Sequence, residues 1–415
     1  TQFQWPTVRP EEAQRRLRPA WLFGGLAVVG AVAAAVVILA GGGVIWYFTR
    51  APSTQPTSGE EERGFFSRLF PGGGERELTQ AEREKLEEAQ QGGAGLEAAK
   101  PRSFKLVEAN VAGAAFVKNK IRYIDRETGH VFEIDPDGQN KTRISNTTIP
   151  GIFEVIWSPD GTRAILKYAV GDKLNILSAR FIASSTQGVF LPSDLKDIVF
   201  SPRGERVAYV LTSGEETLII TASPDNKNQR TLAHNPFSSW KISWPEEGSI
   251  FLWPRPSAFH DGFLYRLNLA AGTLTKLLGP RLGLDIKTDG KNLVFAESDP
   301  DNKTLASSFL DVGSLKITPV SLKIIPSKCA WSRLNKNTAF CAVPVPLAPA
   351  VYPDDWLEGK ISFFDVLVKI NSASLTAASF ELAETPDATG LFLDADEKNI
   401  FYVNRRDGSL WKTEL

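Results

Sequence analysis

A short phrase returns roughly every 43 residues along this 415-residue chain. It reads Trp157-Ser158-Pro159-Asp160-Gly161, then Phe200-Ser201-Pro202-Arg203-Gly204, then Trp244-Pro245-Glu246-Glu247-Gly248. Looser copies stand at Asp285-Ile286-Lys287-Thr288-Asp289-Gly290, at Trp331-Ser332-Arg333-Leu334-Asn335 and at Leu393-Asp394-Ala395-Asp396-Glu397. Each copy lies between two short apolar runs. A period of this length, with a strand on each side of a tight turn, describes a four-stranded blade repeated around an axis, a β-propeller. One such unit cannot bury its apolar faces alone, so the repeats must stack and close on themselves.

The phrase has a structural task. Proline presets φ at one turn position and glycine takes positive φ at another, so one strand folds back into the next. The aromatic residue ahead of it (Trp157, Phe200, Trp331) is expected between blades. The aspartates read as turn residues, and they lack the carboxylate spacing of a calcium loop.

Residues 104–415, divided by the period, make seven blades, with six as the alternative count. The last repeat supplies three strands, over 391–394, 399–404 and 409–414. Phe104-Lys105-Leu106-Val107-Glu108 stands unpaired ahead of the first blade. The economical solution is that this N-terminal strand completes the final blade, because an unclosed ring leaves exposed edges.

Residues 21–48 carry no charged side chain. As a helix they span roughly 42 Å, enough to cross a bilayer with tilt. Trp21 and Phe23 at one end, and Trp46, Tyr47 and Phe48 at the other, resemble interfacial belts. Arg9, Arg15, Arg16 and Arg18 precede the segment, whereas Arg50 and then Glu60, Glu61 and Glu62 follow it. The positive-inside bias predicts a cytoplasmic segment over 1–20, a single transmembrane helix over 21–48, and an extracytoplasmic remainder. The alternative is a cleavage site near Ala33-Ala34-Ala35. Residues 49–103 read as a flexible linker, with a short helix over 77–91 that Thr79 and Glu82 open as a capping box.

With 47 Lys plus Arg against 48 Asp plus Glu, the chain has no basic stripe that would suit nucleic acid. His130, His234 and His260 are scattered, and neither a cofactor nor a metal is expected. No Gly-x-Ser-x-Gly elbow, His-Glu-x-x-His helix or phosphate-binding glycine loop occurs, so no catalytic residue is assigned. Cys329 and Cys341 are the only cysteines, and they are equidistant from the turn near Asn335. That places them opposite each other on adjacent antiparallel strands, within disulfide range. Two buried free thiols are the alternative.

The Ser-Pro-Asp-Gly repeat, followed by apolar strand residues (Ala164-Ile165-Leu166; Val207-Ala208-Tyr209-Val210), resembles the WD-repeat-like propeller repeats of the TolB-like kind. Residues 341–371, with Pro353-Asp354-Asp355-Trp356 and Ser362-Phe363-Phe364-Asp365, look like an insertion in membrane-anchored bacterial propellers of poorly defined function. The resemblance covers residues 104–415. It implies a non-catalytic binding platform in a bacterial cell envelope.

Two connections exceed their counterparts in length. The fourth blade carries Trp253, Arg255, Phe259 and His260 between its second and third strands. The sixth carries Tyr352, Asp354, Asp355 and Trp356 in the equivalent place. Equivalent connections open on one face of the disc, and long loops on a rigid scaffold are where function concentrates. These eight residues are the expected partner-binding site, with Trp356 alternatively folded back as a plug. The expected partner is another envelope protein. The alternative is a carbohydrate-binding or glycan-processing role at the cell wall, since aromatic rings beside carboxylates suit sugars.

Overall fold

A computed structural model of the protein describes residues 103–108, 110–182, 185–235 and 239–415. The expected cytoplasmic segment, transmembrane helix and nearly all of the linker lie outside the described residues. No helix among the described residues is long and apolar enough to cross a membrane.

The fold is all-β, a seven-bladed propeller. Strand β1 (Ser103–Val107) comes first. Blade one holds β2 (Val111–Val117), β3 (Lys120–Asp125), β4 (Val131–Ile134) and β5 (Thr142–Arg143). Blade two holds β6 (Ile152–Trp157), β7 (Arg163–Val170), β8 (Lys173–Ile182) and β9 (Ser185–Phe190). Blade three holds β10 (Leu195–Phe200), β11 (Val207–Ser213), β12 (Glu216–Ala222) and β13 (Arg230–Asn235). Blade four holds β14 (Trp240–Glu246), β15 (Ser249–Pro254), β16 (Asp261–Asn268) and β17 (Leu274–Leu282). Blade five holds β18 (Asp285–Thr288), β19 (Asn292–Asp299), β20 (Thr304–Asp311) and β21 (Ile317–Val320). Blade six holds β22 (Cys329–Trp331), β23 (Thr338–Pro344), β24 (Asp365–Asn371) and β25 (Ala377–Phe380). Blade seven holds β26 (Ala388–Leu393), β27 (Asn399–Asn404) and β28 (Leu410–Glu414), and β1 is its fourth strand.

The ring closes as the unpaired N-terminal strand predicts. β1 runs antiparallel to β28, with Ser103 opposite Thr413 and Lys105 opposite Trp411. The two hydroxyls of Ser103 and Thr413 bond at 2.9 Å, and the Lys105 ammonium sits 5.0 Å above the Trp411 ring. First strands of neighbouring blades touch one another, β2 with β6, β10 with β14, β18 with β22, β22 with β26 and β26 with β2, which puts them around the axis.

The core lies between blades rather than at one centre. Ile165 and Ile176 of blade two pack on Leu195, Ile198 and Phe200 of blade three. Val210 and Ile219 of blade three meet Trp240, Ile242 and Ile250 of blade four. The pattern continues to Phe340 and Leu367 of blade six against Ile400 and Trp411 of blade seven. Burying each such side chain contributes about 1.5–3 kcal/mol.

The repeated phrase forms the hairpin out of each first strand. The Ser158 hydroxyl donates to the Arg163 carbonyl at 3.0 Å, and the Gly161 amide donates to the Ser158 carbonyl at 2.8 Å. Asp160 accepts the Ser158 hydroxyl at 2.6 Å and the Thr162 amide at 3.1 Å, so turn chemistry uses its carboxylate. Cys329 and Cys341 are directly opposed on β22 and β23 and form a disulfide, with Cα atoms 4.1 Å apart.

Candidate functional site

Because the blades are rotated copies, the connection from second to third strand falls on the same face in each. Blade four spends it on residues 255–260 and blade six on residues 345–364, which include the helical turn α1 (Asp354–Leu357). The two meet. The Ala258 amide donates to Asp354 Oδ2 at 2.7 Å, and the Gly283 amide, just ahead of blade five, donates to the Ser257 carbonyl at 2.8 Å.

The eight residues expected to bind a partner divide sharply. Phe259 is 69% exposed, and Arg255 and His260 are exposed beside it. Trp253 is not a loop residue. It lies on β15, 6% exposed, packed with Leu264, Leu278 and Leu284 between blades four and five. Tyr352 and Trp356 are 1% and 5% exposed, in one cluster with Ala296, Leu305, Ile325 and Phe363. Their rings are the plug that the Pro-rich insertion folds onto the disc, and they are unavailable to a partner in this conformation. The carboxylates are likewise engaged. Asp354 holds the blade-four loop. Asp355 Oδ2 accepts the Val351 amide at 2.8 Å, and its Oδ1 lies 3.2 Å from Lys360 Nζ. The backbone hydrogen bond from Val351, aided by Lys360, holds the Asp355 carboxyl below its ordinary value. Burial raises the Tyr352 hydroxyl to about 12, with the Asp355 charge adding to it.

Beneath the plug lies a group of charges that the sequence does not announce. Lys328, Asp365 and Asp387 are all buried, from the turn before β22, the start of β24 and the turn before β26. Lys328 Nζ lies 2.7 Å from Asp365 Oδ2 and also bonds Asp387 Oδ1. Asp387 Oδ2 gathers the insertion: it accepts Trp356 Nε1 at 3.2 Å, the Ser362 hydroxyl at 3.1 Å and the Phe363 amide at 3.3 Å. The Lys328 ammonium also sits 5.2 Å and 4.8 Å from the Trp356 and Phe363 ring centres. From blade seven, Arg405 donates to the Trp356 carbonyl at 2.6 Å and Arg406 to the Ser362 hydroxyl at 3.0 Å.

The two carboxylates answer this environment in opposite ways. Burial pushes Asp365 up to about 6, an effect that Lys328 and the Ala388 amide only partly offset. Among the described residues Asp365 Oδ1 has no hydrogen-bond partner. Burial also works against ionised Asp387, but the Lys328 charge and the donors from Lys328, Trp356 and Phe363 outweigh it and hold the group below its ordinary value. These residues are far apart in sequence and follow no motif, so sequence reasoning had no signal for them.

A crevice of about 290 Å³, open to solvent, separates Tyr352, Pro353 and Trp356 from Asp285, Glu297 and Ser298 of blade five. Most of that space is open solvent; the enclosed part, about 10 Å³, has room for roughly one water molecule and is far below a small-molecule pocket. Among the described residues no three His, Cys, Asp or Glu side chains converge as metal ligands.

No family model and no curated protein matches this chain. Solved structures do. An oligogalacturonate lyase in complex with manganese aligns with TM-score 0.54 at 12% identity, over 77% of this chain and 94% of that one. The oligogalacturonate lyase of Vibrio parahaemolyticus gives 0.53 at 10% identity, over 77% and 94%. TolB of Acinetobacter baumannii gives 0.41 at 12%, over 70% of this chain and 66% of that one. At such identities the likeness concerns the fold. The two lyase alignments bear out the β-propeller fold, which the seven four-stranded sheets show directly.

Proposed function

We propose that this protein is a membrane-anchored, extracytoplasmic propeller that serves as a non-catalytic protein-binding platform in a bacterial cell envelope. One observation carries the reading: the two longest second-to-third-strand connections join at Ala258 and Asp354 and leave Phe259 69% exposed, with Arg255 and His260 exposed on the same loop. A large exposed ring and an exposed arginine on one loop, on a rigid base, are residue types enriched in interface anchors. The latch of Asp387, Arg405 and Arg406 keeps the neighbouring insertion fixed, so little ordering is needed on binding. The carbohydrate reading is less well supported, because the rings of Trp253, Tyr352 and Trp356 are inside the protein and, of the set, the Phe259 ring and the His260 imidazole are left exposed.

Crosslinking from native membranes, with the intact chain and a Phe259→Ala, Arg255→Ala variant, tests this. Capture of one envelope protein at stoichiometric yield, lost in the variant and kept in a Phe190→Ala control on the outer strand of blade two, is the expected result. Equal capture by both variants removes the loop face as the docking site.

A further inference from the structure

The outer strand of a propeller blade leaves one side without a partner, and such an edge recruits other chains unless something blunts it. Six of the seven outer strands are blunted. Arg143 stands on β5, Arg230 on β13, Lys276 and Pro280 on β17, Pro319 on β21 and Lys105 on β1, and β25 is only four residues long. β9 of blade two is the exception. Ser185-Thr186-Gln187-Gly188-Val189-Phe190 has six residues, no charge and no proline, and its Val189 and Phe190 are 37% and 64% exposed.

This edge is also regular. β8 and β9 pair without a bulge from Leu177 opposite Phe190 to Ile182 opposite Ser185. The Leu191 amide donates to the Ile176 carbonyl at 2.8 Å. The alternation of an antiparallel ladder then turns the backbone groups of Val189 and Gln187 toward β8, and those of Phe190, Gly188 and Thr186 outward. The Thr186 amide reaches Thr147 Oγ1 at 3.3 Å. Among the described residues, the amides of Gly188 and Phe190 have no acceptor. Phe190 lies opposite Leu177, which packs in the core between blades one and two, so its ring is on the side of blade one. There β5 has only Thr142 and Arg143 and leaves the ring uncovered. Gly188 shares that side and has no room for a side chain, since a Cβ would lie 2.5 Å from the Ser178 carbonyl oxygen. A bare place therefore sits beside an exposed ring.

We propose that a second copy of this chain adds its own β9 to this edge, antiparallel, about a two-fold axis through Gly188. Outward-facing residues then meet: Gly188 opposes Gly188 of the other copy, and Phe190 opposes Thr186. Each Phe190 ring lies diagonally over the other copy's Gly188, an arrangement in which an aromatic side chain covers a glycine on an edge. The four strands of blade two run on into the four of the other copy. The strand is uncharged, so the two-fold axis opposes no like charges, whereas a charged foreign strand finds no counter-charge on β9. A six-residue ladder is about 20 Å long, small for a permanent interface, and the dimer dissociates on dilution. This rim is separate from the proposed loop face, and its test does not depend on that reading.

The register supplies the test. Gln187 opposes Val189 of the other copy as a non-hydrogen-bonded pair, the closer kind, with Cα atoms about 4.5 Å apart. Full-length chains carrying either Gln187→Cys or Val189→Cys, with different tags, are expressed in one cell and mildly oxidised after lysis. The native cysteines are joined to each other and do not compete. The expected result is a mixed disulfide dimer, in roughly tenfold excess over self-dimers of either variant and over a Thr231→Cys chain with its exposed cysteine on β13. Adding Phe190→Lys to both chains lowers the yield about fivefold, and Phe190→Ser lowers it less. The proposal is overturned if the mixed dimer does not exceed the Thr231→Cys background, or if either variant joins itself as readily as the other. It is equally overturned if Phe190→Lys leaves the yield unchanged, or if the crosslinked product holds a different protein. Gln187, Val189 and Phe190 are exposed, so their replacement leaves no cavity, and unchanged thermal unfolding of each variant verifies the fold.

Discussion

Two buried aspartates differ in what they do for the fold. Among the described residues Asp387 has four partners and Asp365 has one oxygen without any. Asp387→Ala leaves Lys328 paired with Asp365 alone and frees Trp356. It should destabilise the protein by about 3–5 kcal/mol and red-shift its tryptophan emission in denaturant titrations. Asp365 behaves in the opposite sense. Its folded value of about 6 lies above the ordinary carboxylate value of 3.8, so its contribution is present below pH 4 and is lost as pH rises through 6. Asp365→Asn removes that dependence. Relative to the parent, the variant should gain about 1 kcal/mol between pH 5 and pH 7, read as the shift in denaturation midpoint. A variant that tracks the parent at both pH values would contradict this account of the triad.

The turn and the insertion show how one repeat unit carries both the ring and its elaboration. Gly161 has φ of 63°, and a Cβ there would lie 2.0 Å from Val117 Cγ2 of the preceding blade. Both the backbone and the neighbour demand glycine, so Gly161→Ala should cost on the order of 2 kcal/mol in thermal or chemical unfolding. Gly214, at φ of 63° with open space around it, keeps only the backbone part of that penalty and should be milder. The disulfide pins the first hairpin of blade six, from which the insertion departs. A Cys329→Ser, Cys341→Ser variant should lose about 3 kcal/mol relative to the oxidised chain. The same spacing that placed the cysteines opposite each other could not fix where Trp253 pointed. Its strand is two residues longer than the loop reading allowed, and the extra register turned its ring between blades.

Closure is a property of the whole ring. A propeller is a circle of interfaces, and β1 is the strand that joins its two ends. Deleting residues up to 108 should leave β28 as an open edge beside the buried Trp411, lower the melting temperature and raise concentration-dependent aggregation in light scattering. If the truncated chain stays monomeric and equally stable, the clasp has no closing role.

The period of the repeat determined the blade, the blade number and the closing strand, because each follows from local turn chemistry and from the need to leave no unit unpaired. It also placed the two cysteines, since hairpin register is local. The tertiary structure alone decided which of the loop residues remained outside. Trp356 and Tyr352 had the composition of interface anchors, yet the insertion could bury their apolar rings against blade five and satisfy the indole at Asp387. Lys328, Asp365 and Asp387 lie 37 and 22 residues apart along the chain and meet only because blades six and seven are adjacent. Charge pairing at such distances depends on the closed ring, which no local pattern encodes.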